Sequence, residues 1–130
     1  MKKNRVSMKN LKMNDEVFKL RKQVMQYVYE AKALVGKMER VEVRIVDDEV
    51  GTAAKASLDV KHISITKYAL NKSPAILKRI VFHELVHTLT GFRHDKKCKL
   101  MNPDGKWIYS NQLDDKELEK IFLKYMKKVG

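Results

Sequence analysis

The sequence predicts an α+β fold, and three observations predict it. A long segment with helical apolar spacing comes first, two short runs alternating with period two follow, and two segments with helix-capping signals close the chain. The 130 residues suit one domain with one hydrophobic core. Residues 1–12 are polar and basic and read as a flexible tail, which leaves 13–130 as a single domain.

Each element has its own signal. Over residues 14–35, Val17, Leu20, Val24, Tyr27, Val28, Ala31 and Leu34 recur at helical spacing, with Asn14 as the expected N-cap and Gly36 as the stop. Val41 to Ile45 alternates and reads as a half-buried strand. The small-residue stretch 51–57 precedes a second alternating run, His62 to Thr66. Together these form a small mixed sheet of three to four strands. Ser73-Pro74 opens the next helix, because a serine oxygen can accept from free N–H groups and proline has no N–H to lose there. Ile76, Leu77, Ile80, Val81, Leu85 and Leu89 give this helix an apolar side, and Gly91 ends it. Residues 92–112 are irregular. A last helix starts near Asp114, with Glu117 three residues on as a capping box and Leu118, Ile121, Phe122 and Tyr125 as its stripe.

Apolar residues make up 44% and charged residues 34%, which excludes a disordered chain, and the single cysteine, Cys98, excludes a disulfide framework. Lys2, Lys3 and Arg5 are not followed by the apolar run of a signal peptide, and no stretch approaches the roughly 20 apolar residues of a membrane span. The expectation is an intracellular, cytoplasmic protein with no membrane partner, of cellular or viral origin. The net charge of +12 would attract nucleic acid, although scattered lysines also describe an ordinary solvated surface.

The chemistry concentrates at His83-Glu84-Leu85-Val86-His87. Residues four apart on a helix are rotated only about 40° from each other, so His83 and His87 can aim two imidazoles at one zinc ion. Glu84, turned about 100° from His83, can serve as general base to a water that the zinc has acidified. A core has little reason to bury His, Glu and His together without a cation. Catalytic zinc takes a third protein ligand. Gly91 can turn the chain so that His94 returns to the metal, with Asp95 in reserve as ligand or as a partner orienting a histidine, and Cys98 as a weaker rival.

The run from His83 to Asp95, followed by Cys98-Lys99-Leu100-Met101-Asn102-Pro103, resembles the metzincin clan of zinc peptidases, which pairs HExxHxxGxxH with a Met-turn. The resemblance implies a zincin-like fold, His83, His87 and His94 as zinc ligands, Glu84 as general base and Met101 as the Met-turn residue. Thr90 is one residue more than the clan's spacing, so Gly91 and His94 each fall one position late. A second resemblance, to SprT-like and WLM-type proteases that act on DNA–protein crosslinks, rests on the same HExxH with Gly91 and His94-Asp95. It implies a DNA-associated setting and the same ligands and base.

Two further expectations surround the site. The stretch with Gly51, Ala53 and Ala54 is the expected sheet edge for a peptide or protein substrate added as a strand, or an ordinary edge. Tyr109 either stabilises the oxyanion or packs with Trp107. The functional expectation is a zinc endopeptidase. Its alternatives are a DNA-associated protease and a nonenzymatic, zinc-stabilised nucleic-acid-binding protein.

Overall fold

The computed structural model describes residues 2–46, 54–57, 61–66, 69, 72–103, 105–110 and 112–129. Its elements run α1 (Lys2–Val35), β1 (Glu42–Val46), β2 (Ala54–Ser57), β3 (His62–Thr66), α2 (Pro74–Thr90) and α3 (Asp115–Val129). The order of elements is that of the predicted α+β fold.

Helix α1 buries Leu20, Val24, Tyr27 and Ala31, steps of four, three and four residues that keep one face on the core. Gly36 ends it as expected, with φ 76° and its N–H on the Lys32 carbonyl at 2.8 Å. The start differs from expectation. The helix begins at Lys2, so Asn14 lies inside it and the residues read as a tail continue it. No proline or glycine occurs between Lys2 and Asn14, and lysine, methionine and leucine sustain a helix there.

The sheet has the order β1-β3-β2, with β1 parallel and β2 antiparallel to the central β3. The register pairs Val43 with Ile63 and the partly buried Ile45 with Ile65, which stacks the core-facing positions of neighbouring strands. Strand β3 has the expected bounds, while β1 starts one residue late, at Glu42. Strand β2 is the edge that the small-residue stretch predicts. Gly51 and Ala53 lie outside the described residues, and Ala54 is the first residue of β2.

Helix α2 sits at the centre, touching α1, α3, β2 and β3. The sequence expects one apolar side, but the helix is enclosed nearly all round, and even Lys78 and Arg79 are buried. Phe82 meets Phe122 of α3 with ring centroids 4.8 Å apart. Truncating either ring would cost about 3–5 kcal/mol. No helix among the described residues is long and apolar enough to cross a membrane.

Candidate metal centre

Both ends of α2 are fixed by the residues that the sequence nominates. The Ser73 hydroxyl accepts the Ile76 N–H at 3.3 Å, Pro74 is the first helical residue, and Gly91 closes the helix at φ 77° with its N–H on the His87 carbonyl. The helix runs one residue past the clan's spacing, through Thr90. That residue's hydroxyl donates back to the Val86 carbonyl and accepts the Phe92 N–H at 3.1 Å. The extra residue thus becomes a bridge from helix to turn. A second clamp comes from Lys61, whose ammonium donates to the Thr88 carbonyl at 2.7 Å.

Beyond Gly91 the loop is latched at several points. Asp95 N–H donates to Met101 O at 2.8 Å, Cys98 N–H to Asp95 O at 3.0 Å, and Asn102 Nδ2 to Lys96 O at 3.0 Å. Through these bonds the loop brings His94 back to α2. His94 Nε2 lies 3.2 Å from His83 Nε2, which is itself 3.2 Å from His87 Nε2. The ligand atoms of all three histidines fall within 4.8 Å of one another.

The protonation pattern is informative. His83 Nδ1 donates to the Leu100 carbonyl at 2.7 Å and His87 Nδ1 to the Phe92 carbonyl at 2.8 Å. A carbonyl only accepts, so both protons sit on Nδ1 and both Nε2 atoms present lone pairs. Burial pushes the His83 imidazolium down to about 4 and lowers His87 in the same direction, so neither relieves the clash by protonation at neutral pH. Two acceptors 3.2 Å apart call for a cation between them. Four ligands held tetrahedrally at 2.0–2.1 Å from zinc stand about 3.3 Å apart, so the donor set fits that ion in atom type and spacing. Glu84 Oε2 is 4.0 Å from His83 Nε2, beside the cluster, and burial pushes its carboxyl up to about 7.

The remaining sequence candidates fall as follows. Asp95 and Cys98 stand outside the histidine cluster. The Asp95 carboxylate accepts the Lys97 N–H at 2.9 Å, and the Cys98 sulfur accepts the Met101 N–H at 3.4 Å. Met101 is fully buried and follows Leu100, the residue whose carbonyl fixes His83. Tyr109 is half exposed, its ring over Gly105 and 5.2 Å from the Lys72 ammonium. Arg79, one turn before His83, donates to the carbonyls of Ile108 and Ser110 at 2.9 and 2.6 Å and so ties the Tyr109 segment to α2. Sequence reasoning missed Arg79 because a helical arginine ordinarily faces solvent. It missed the Leu100 and Phe92 carbonyls because a backbone acceptor has no residue-type signature. The departure at Thr90 was a usable signal for the bridge.

No protein-family model and no curated protein matches the sequence. Two solved structures match its fold. The chain shares the fold of two metallopeptidase zymogens. Abylysin of Pyrococcus abyssi aligns over 82% of this chain and 93% of its own, with 19% identity and a TM-score of 0.52. Jannalysin of Methanocaldococcus jannaschii aligns over 82% of this chain and 97% of its own, with 21% identity and a TM-score of 0.50. At that identity the likeness bears on the fold, and the chemistry rests on this chain's own side chains.

Proposed function

We propose that the chain is a zinc-dependent endopeptidase in which His83, His87 and His94 hold the metal and Glu84 is the general base. The observation that carries this reading is the facing pair of Nε2 lone pairs on His83 and His87, with His94 closing on them and a buried carboxylate alongside. The shared fold with two metallopeptidase zymogens supports it. Neither structure lends support to the DNA-associated alternative or to a nucleic-acid partner.

Zinc held by three imidazoles would supply Lewis acidity, lowering the pKa of water to about 7 and polarising a carbonyl. Glu84 then does the proton work. Its carboxyl, buried beside the histidine cluster, takes a proton from the attacking water and returns it to the leaving amine. Leu100 and Phe92 hold the two helix imidazoles in the tautomer and orientation that ligation needs. Met101 takes the part of the Met-turn residue, a reading supported by its complete burial and by its place directly after Leu100, whose carbonyl holds His83. The edge strand that begins at Ala54 receives the substrate as an added strand.

The test is metal content measured together with hydrolysis. Wild type is expected to hold about one zinc per chain. Glu84→Gln keeps that zinc while hydrolysis of an unstructured protein falls at least about a hundredfold. His94→Ala loses the metal and Asp95→Ala keeps it. A zinc-loaded wild type that cleaves no peptide would overturn the proposal and leave a nonenzymatic zinc protein. Metal retained in His94→Ala but lost in Asp95→Ala would transfer the third ligand to Asp95.

A further inference from the structure

A groove of about 540 Å³ lies between the loop that follows His94 and one face of α3. Its floor is Cys98, Ile121 and Tyr125, all partly or wholly buried. Its rim is cationic. Lys97 stands on the loop side, and Lys120, Lys124 and Lys128 stand on the helix side, four residues apart. Two carboxylates, Asp95 and Glu117, also line the groove, against five lysines once Lys99 is included. Asp95 accepts the backbone N–H of Lys97 and keeps its charge, while Glu117 pairs with the Lys99 ammonium at 3.0 Å. The groove therefore presents a surplus of positive charge over an apolar floor.

The spacing selects among polyanions. Lysines four apart on a helix repeat every 6 Å or so, and same-face side chains of an extended peptide repeat every 6.6 Å or so. An extended segment with acidic residues at alternate positions can therefore place carboxylates against successive lysines. A single nucleic-acid strand fits less well, because such sites stack bases on exposed aromatic faces. The aromatic ring in the groove, Tyr125, is only 7% exposed and is covered by Phe92 and the Lys128 ammonium.

The groove also adjoins the metal centre. Asp95, which lines it, follows His94, and Phe92, at its Lys128 end, supplies the carbonyl that orients His87. Resting on the peptidase reading, we infer that this groove is an exosite that holds an acidic, extended segment of the polypeptide substrate beside the catalytic centre.

The test uses the full chain carrying Glu84→Gln, so that the probe survives, and a fluorescein-labelled decapeptide of alternating Glu and Ala at low salt. Fluorescence anisotropy is expected to show saturable binding that weakens as salt is raised. Adding Lys120→Glu and Lys124→Glu should weaken it at least tenfold, and Lys120→Gln with Lys124→Gln serves if the first pair does not fold. A control pair with the same charge change on α1, Lys19→Glu with Lys22→Glu, should weaken it less than threefold. Equal losses in the two pairs, or no saturable binding, would overturn the exosite. So would a ten-residue oligothymidylate that binds more tightly than the peptide with the same sensitivity to Lys120 and Lys124. Hydrolysis by wild type is scored separately. Binding without cleavage overturns the peptidase reading and the exosite's role in it, whereas cleavage without binding overturns the groove alone.

Discussion

Glu84 keeps 12% of its side chain exposed, and burial raises its carboxyl from the ordinary 4.5 to about 7. This has a consequence for stability in the metal-free protein. Between those two values the folded state binds more protons at Glu84 than the unfolded state does, so its contribution falls as pH rises through that window and is flat above it. His83, lowered to about 4, and His87, lowered in the same direction, act the other way below 6.5, so the slope of wild type alone does not report Glu84. Comparison with Glu84→Gln isolates the carboxylate. After zinc is removed with a chelator, Glu84→Gln should be the more stable protein at pH 8, by up to about 3 kcal/mol, and the gap should shrink toward zero near pH 4. Urea unfolding at both pH values measures this. A variant less stable than wild type at pH 8 would mean that the carboxylate is satisfied without metal. This residue was legible in the sequence because its neighbours at fixed helical spacing are chemically rare. The two carbonyls that fix the imidazole tautomers were not, since any residue type at 92 or 100 supplies the same oxygen.

At the scale of elements, the delivery of His94 depends on how α2 ends. Thr90 continues the helix by one residue, and Gly91 then reverses the chain in the left-handed region, where a side chain is strained even though nothing stands within 4 Å of an added Cβ. Gly91→Ala should therefore cost about 1 kcal/mol through backbone strain alone. Thr90→Val keeps the shape of the side chain but removes the hydroxyl that joins the Val86 carbonyl to the Phe92 N–H, again at about 1 kcal/mol. Both changes should weaken zinc retention in competition with a chelator more than Ser73→Ala does at the far end of the helix. Ser73→Ala costs a similar about 1 kcal/mol of stability without touching the loop. Equal zinc loss in all three variants would show that the centre senses global stability and not the turn. The bounds of α2 and β3 were legible because Ser73-Pro74, Gly91 and the alternation at 62–66 are local signals that tertiary packing did not override. The start of α1 was not, since Asn14 offered a cap but no residue upstream of it stops a helix. At α3 the N-cap held, with Asp114 Oδ1 accepting the Glu117 N–H at 2.9 Å, but the Glu117 carboxylate pairs with Lys99. That partner is distant in sequence, and no local pattern predicts it.

For the molecule as a whole, the joint between its three helices is a buried lysine. Lys78 on α2 places its ammonium 3.2 Å from Glu30 of α1 and 3.4 Å from both Asp115 and Glu119 of α3, and it lies over the Phe82 ring. Burial by itself would lower its pKa, but the carboxylates of Glu30 and Asp115 outweigh that and raise it. Breaking a fully buried ion pair leaves a charge stranded, but here the carboxylates are 36–63% exposed and regain water when the lysine is removed. The lysine's stem matters as much as its charge, because it fills space against the core. Lys78→Met, which keeps the length and drops the charge, should cost about 1 kcal/mol at pH 7, whereas Lys78→Ala should cost about 2–4 kcal/mol because it also leaves a void. The charge contribution has a definite pH signature. A lysine whose folded pKa is raised stabilises fully below its ordinary value near 10.5 and loses that stabilisation as pH climbs through the folded value. Wild type should therefore fall toward Lys78→Met in stability above pH 11, while the difference between Lys78→Met and Lys78→Ala stays constant. Urea melts at pH 7 and pH 11 separate the two contributions. If Lys78→Met proves as damaging as Lys78→Ala at pH 7, the ion pairs and not the packing hold the three helices together around the helix that carries His83, Glu84 and His87.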